Sequence, residues 1–241
     1  MTEIQSWEKL GKSLTPTEDR QLREVLQVLR SPIDEHLLEG SNLVNEKFAE
    51  EFRCRILLQH GMQGSPLFQD TFDAAFLKAL IAGGHLVSIP AGQTERFWDL
   101  KLGADHVSLK SSKAKDLKVN NLHISKLSEA AWIQDCRSAK ARRDATFELF
   151  ERYLRMVGRM FQLRYFPRKK LYELVEIPTD LLRPIFKAPI KAFAAEGSNV
   201  GIPVGASEFD LTVVLDRSDA KITIRNIRKD RCIVHGTWQL E

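Results

Sequence analysis

The sequence predicts an α/β fold, a mixed β-sheet flanked by helices, and three observations carry that expectation. Apolar residues recur at helical spacing through roughly the first 90 positions. From about residue 96 the period drops to two, in short runs separated by turn residues. A segment of helical period beginning near Asp144 then lies between such runs, the order expected when helices cover a sheet.

The elements follow in turn. "TPTEDRQLREVLQVLRS" places Leu22, Val25, Leu26 and Leu29 on one helix face, with Thr17 and the acids after it resembling a capping box. "SNLVNEKFAEEFRCRILLQHG" predicts a second helix, capped by Ser41 and stopped at Gly61. "SPLFQDTFDAAFLKALIAGG" starts on Ser65-Pro66 and ends in paired glycines, with Leu67, Phe68, Phe72, Phe76, Leu77 and Leu80 as its apolar face. Strands are expected at about 96–102, 106–112 and 121–125, the first two joined by the turn residues Gly103, Ala104 and Asp105. "SEAAWIQD" reads as a helix start with Ser128 as cap and Glu129 in the first turn, and a long helix begins near Asp144. "MFQLRYF" and "LYELVEIP" are strands joined by the basic turn "PRKK", and "TDLLRPIF" is a short helix. Residues 195–209 read as a Gly/Ser/Pro-rich loop, "DLTVVLDRSDAKITIRNI" as a hairpin and "CIVHGTWQL" as a last strand.

Composition narrows the class. The 241 residues are 43% hydrophobic and 28% charged, ordinary for a soluble globular enzyme and enough to bury a core. No run of about 18 apolar residues offers a membrane span, and "MTEIQSWEKLGKSL" lacks the apolar centre of a secretory signal, so a cytoplasmic chain is expected. Cys54, Cys136 and Cys232 are odd in number and in no ligand spacing, which predicts reduced thiols. The six histidines form no metal-binding pair either, and His123 and His235, each alone on an apolar strand, are expected to be structural. Net charge is only +4, but bases concentrate locally: Lys110, Lys113, Lys115, Lys118 and Lys126, then Arg137, Lys140, Arg142 and Arg143. Such a surface suits a phosphate-bearing partner, although a solvated basic face has the same composition.

One hairpin carries a candidate chemistry. In "FWDLKLGADHVSLKSSKAK", Asp99 and Lys110 lie eleven residues apart across a short turn, which can bring them opposite or diagonal to each other. Phosphodiester hydrolysis uses such a pair: a carboxylate grips a hard divalent cation, and a lysine ammonium orients water and stabilises developing charge. A surface salt bridge on any hairpin would show the same spacing.

At these residues the chain resembles the PD-(D/E)xK nuclease superfamily, and from about Asn45 to near the C-terminus it is similar to a type II restriction endonuclease of that superfamily. The matching segments are "FDAAF", the Asp99-to-Lys110 spacing, "HISK" at 123–126, "FQLRYF" at 161–166, "LVEIP" at 174–178 and "CIVHGTW" at 232–238, in that order. The resemblance implies one endonuclease domain over 1–241: a helical part to about 90, a catalytic sheet region over about 95–180, and C-terminal strands and loop over about 190–241. It implies Mg²⁺-dependent cleavage of double-stranded DNA, with 5′-phosphate products. A homodimer would act on a palindrome, and the target suggested is GC-rich, such as CCCGGG. A partner methyltransferase would protect host DNA.

The acidic position two before the lysine is Ser108, and a serine cannot hold a divalent cation as a carboxylate does. The resemblance offers Glu129 as the displaced acid, with Asp105 a rival and Asp73 in "FDAAF" near the first metal site. The implied set is Asp99, Glu129 and the Leu109 carbonyl on the metal, joined by Asp73, with Lys110 positioning the water. Ser111, Ser112, Lys113, Lys115, Arg142 and Arg168 are the expected DNA contacts, with the loop 195–209 as a further base-reading candidate. A repair nuclease or nickase with the same chemistry, or a non-catalytic DNA-binding module, are the alternatives.

Overall fold

Alternating apolar positions build a seven-stranded sheet whose two faces are buried by different partners. The computed structural model describes residues 11, 13–90, 97–205 and 211–241. Its helices are α1 (Pro16–Leu29), α2 (Glu46–Gln63), α3 (Asp70–Ala82) and α4 (Ala139–Met156). The large sheet contains β1 (Ile33–Leu37), β2 (Val87–Ser88), β3 (Leu100–Leu102), β4 (Asp105–Ser112), β6 (Arg159–Phe166), β7 (Leu171–Glu176) and β11 (Ile233–Leu240), in the order β1-β11-β7-β6-β4-β3-β2. Strands β4 and β6 run parallel, and every other pair in this sheet is antiparallel. The mixed α/β character read from the sequence is what the chain adopts.

A second, four-stranded antiparallel sheet contains β5 (Asn121–Glu129), β8 (Asn199–Val204), β9 (Leu211–Asp216) and β10 (Lys221–Arg228), in the order β5-β10-β9-β8. It accounts for two corrections. The expected loop 195–209 contains β8, while residues 206–210 lie outside the described residues. The helix expected at "SEAAWIQD" is instead the end of β5 followed by a single 3₁₀ turn over Ala131–Gln134, because Ser128 and Glu129 pair with Ile222 and Lys221 of β10.

Two apolar cores flank the large sheet. On one face Phe48, Phe52 and Ile56 of α2 and Phe72, Phe76 and Leu80 of α3 pack on Val107, Leu109, Phe161, Leu163, Leu174 and Trp238. On the other, Met160 and Val175 meet Leu149, Phe150 and Tyr153 of α4 and Leu122, Ile124, Val213 and Ile224 of the second sheet. Adjacent positions on β4 therefore face different partners. Val107 and Leu109 enter the helical core, whereas Ser108 and Lys110 point towards the second sheet.

Helix ends also differ from expectation. Thr15, not Thr17, caps α1 through a reciprocal capping box with Glu18. Asn45 caps α2 by accepting from the Phe48 N–H, and Gly64, left-handed at φ 62°, ends it. Gly61 is a packing glycine inside α2: a Cβ there would lie 2.4 Å from Val28 of α1. Ser41 instead accepts from the N–H groups of Leu43 and Val44 and bonds His235 Nδ1 at 2.9 Å.

His235 is buried and structural, its Nε2 lying 2.8 Å from Glu176 Oε2, and Arg159 donates to both oxygens of the same carboxylate at 2.7 Å. Burial alone would raise the Glu176 pKa, but these bonds outweigh it and hold the group at about 2. A depressed carboxylate adds stability above its unfolded value of 4.5, and that stability disappears as pH falls towards 2. The contribution at neutral pH is about 3 kcal/mol. Acid titration of unfolding should lose this increment between those values in wild type, and Glu176→Gln should flatten that limb.

Candidate active site

A cleft of about 470 Å³ opens where β3 leaves β4 and the first turn of α3 approaches. Asp73, Asp99, Leu109, Lys110 and Ser111 all line it, together with Gln69 and Asp70 from the start of α3, Ser125 and Lys126 from β5, and Gln162 from β6.

Local backbone chemistry places the acids. The Asp99 N–H donates to the Val107 carbonyl at 2.8 Å, and its Oδ2 accepts the Leu109 N–H at 2.6 Å. Pairing of β3 with β4 ends at Leu100, so the Asp99 carboxylate takes the place of a ladder partner for β4. Alternate β4 residues turn their backbone groups to this edge, so the Leu109 carbonyl leaves the strand towards Asp99. On the opposite wall, Gln69 adopts φ 49° and ψ −125°, a conformation costly for any residue with a Cβ, and its N–H donates to Ser111 Oγ at 3.0 Å. That kink aims the first turn of α3, with Asp70 and Asp73, at β4.

The electrostatics match a cation site. Desolvation, then the nearby Asp99 and Asp70 carboxylates, push Asp73 up to about 7, with Lys110 opposing. Burial lowers the Lys110 pKa, while Asp99 and Asp73 raise it. No three acidic, histidine or cysteine side chains among the described residues already form a metal cluster. Asp99, Asp73 and Leu109 nevertheless line the same cleft, and the two carboxylates with the Leu109 carbonyl are oxygen donors that could hold a hard divalent ion. A carboxylate whose folded pKa lies above its unfolded value of 3.8 costs stability as pH rises towards 7. Carboxyl ¹³C titration should therefore show Asp73 ionising near neutrality without metal, and Mg²⁺ should move it down and raise the melting temperature at pH 7.

The other expected site residues are not all drawn into the cleft. Glu129 ends β5 with its side chain 72% exposed and bonded to Lys126 at 2.7 Å, and it is not among the residues lining the cavity. Asp105 begins β4 beside Gly158. Arg142 is 6% exposed inside α4, donating to the Phe193 carbonyl at 2.8 Å, so its place is structural. The rest of that basic stretch is partly neutralised, because Lys140 and Arg143 both pair with Asp144. Lys113 and Lys115 are exposed beyond β4, with Lys113 over the Phe68 ring at 4.4 Å. Ser112 ends β4, and Arg168 lies in the exposed turn between β6 and β7. Asp70 and Gln69 carry no motif or periodicity that marks them, and Gln162, although it lies in the matching segment "FQLRYF", is not marked there as a site residue; only the fold assembles them.

A family model described as SmaI, type II site-specific deoxyribonuclease, matches residues 23–240. The chain belongs to this family. Type II restriction enzyme SmaI of Serratia marcescens is 26% identical over 211 residues, which cover 83% of this chain and 82% of that protein. As a SmaI-family member the protein is a site-specific deoxyribonuclease, and the family match spans every cleft residue named above. No helix among the described residues is long and apolar enough to cross a membrane.

Proposed function

We propose that this SmaI-family protein is a single-domain, cytoplasmic restriction endonuclease of the PD-(D/E)xK type. It would hydrolyse double-stranded DNA with Mg²⁺ at a palindromic site such as CCCGGG. The observation that carries the reading is the convergence of Asp73, Asp99 and Lys110 on one cavity. Asp99, Asp73 and the Leu109 carbonyl would hold the metal, with Asp73 supplying the acid that Ser108 lacks. Magnesium, when bound, neutralises phosphate charge and makes a coordinated water more acidic.

The chain's own groups do the rest. Asp99, fixed by the Leu109 N–H, presents its remaining lone pairs to the cleft. Lys110 donates to the attacking water and to a non-bridging phosphate oxygen, orienting the one and stabilising charge on the other. Water attacks phosphorus in line, the P–O3′ bond breaks, and a 5′-phosphate and 3′-hydroxyl are left. Ser112, Lys113, Lys115 and Arg168 lie on exposed or half-buried backbone near the ends of β4 and β6 and would hold the DNA strands. A palindrome cut on both strands calls for a two-fold homodimer, with a methyltransferase acting on the same site to protect host DNA.

Digestion of unmethylated phage DNA with Mg²⁺ and with EDTA tests the reading. Discrete fragments that need Mg²⁺ and disappear with Asp99→Ala are expected, and their sequenced ends would give the target. A well-folded protein that produces no fragments from many substrates would overturn it.

A further inference from the structure

Gln162 is a polar side chain, 1% exposed, that lines the cleft without belonging to the acidic or basic set. Its amide nitrogen donates to the His123 carbonyl at 2.7 Å, tying β6 to the second sheet. That bond fixes the amide orientation, because a flip would set two acceptors face to face. Its Oε1 is consequently a buried acceptor, and no described residue donates to it. A buried acceptor without a donor is costly, and such groups concentrate where function supplies the partner.

The register names the donor. Gln162 sits directly opposite Lys110 on the parallel neighbour β6, so both side chains leave the same face of the sheet. The other lysine lining the cleft, Lys126, is bonded to Glu129 at 2.7 Å. A phosphodiester brings only acceptors into the cleft and cannot satisfy Oε1. We propose that Gln162 is a positioning residue for the reaction: Lys110, which does not reach Oε1 in this structure, rotates its ammonium onto that acceptor, and the hydrogen bond so formed holds the ammonium at the attacking water. The inference rests on the reading of Lys110 as the lysine of a nuclease. The amide suits the task better than a carboxylate, since it steers the ammonium without adding another negative charge beside the phosphate.

The test combines a lysine ammonium ¹H–¹⁵N spectrum at mildly acidic pH with single-turnover cleavage. The Lys110 resonance is assigned by its loss in Lys110→Arg and should be visible in wild type, protected from exchange by its acceptor. Gln162→Leu and Gln162→Glu both lose the donor to His123, but only the glutamate keeps an acceptor beside Lys110. The expected result is a resonance lost in Gln162→Leu and retained in Gln162→Glu. Cleavage by the leucine variant should fall about 10- to 100-fold with DNA affinity in Ca²⁺ unchanged. Should the leucine variant not fold, Gln162→Met takes its place. A resonance unaffected by Gln162→Leu, or lost equally in both variants, would overturn the proposal, the second because it assigns Gln162 only a structural bond to His123. The expected spectra in a wild-type protein that cuts no DNA would leave the contact standing and remove the nuclease reading beneath it.

Discussion

Lys110→Ala should slow DNA cleavage by about 10³-fold while leaving specific DNA binding in Ca²⁺ and the melting temperature close to wild type. The magnitude follows from what is removed, a group that acts where charge develops, in a half-buried cleft where electrostatic contacts are stronger than in water. Stability changes little because the substitution has opposing effects. It takes away a cation whose burial lowers its pKa, but it also leaves Asp73 and Asp99 without that neighbour. Asp73 should answer by ionising at still higher pH, which the same carboxyl titration would read. Lys110→Arg should recover little, because a planar guanidinium presents its charge farther from the backbone and in a different geometry. Full activity in Lys110→Ala would remove the lysine from the chemistry and with it the central element of the proposed site.

The largest loss of stability is expected from Arg164→Leu, about 3–5 kcal/mol. Arg164 is 1% exposed on β6, and Nη1 donates to Glu173 Oε2 on β7 at 2.5 Å. Its guanidinium also reaches the carbonyls of Lys118, Val119 and Asn121, so one side chain holds the chain between β4 and β5 to the sheet. Removing it leaves three carbonyls short of a donor and Glu173, among the described residues, with only Lys229 as a charged partner. Thermal unfolding should register the loss as a fall of about 10 °C. The tethered segment carries Lys113, Lys115 and Lys118, so DNA binding should weaken with it and lose part of its salt dependence. Arg164→Leu combined with Glu173→Leu should recover part of the stability and none of the DNA affinity, because the buried acid is gone but the loop is still untethered. If the single substitution costs less than about 1 kcal/mol, the ion pair and loop carbonyls are being satisfied by water, and the brace is not what holds the loop.

Much of what lines the candidate cleft could be read in the chain. Asp99, Leu109, Lys110 and Ser111 fall within one hairpin, so their proximity depends only on a turn at Gly103 and on the two-residue period of the strands. Asp73 was reachable through the acid set in an apolar helix, although its distance from β4 was not. Glu129 ends a strand and does not line the cleft, for a definite reason. "SEAAWIQD" contains good helix-starting residues, but pairing with β10, nearly a hundred residues away, draws Ser128 and Glu129 into a strand. The burial of Arg142 has a related reason: its charge is visible in the sequence, whereas the Phe193 carbonyl that accepts its N–H is 51 residues on.

The sequence by itself determined the class of fold, the helical and strand segments that bury their apolar faces, the acid–lysine hairpin and the family. These depend on periodicity, turn residues and matched segments, all of which act over short stretches of chain. Only the tertiary structure decided that β4 and β6 are parallel neighbours, that a second sheet covers Lys110, and that Asp70, Gln69 and Gln162 share its cleft. Those outcomes depend on which strand edges pair and which apolar faces meet. Contacts between distant segments set them, and no local pattern in the chain encodes a partner so far away.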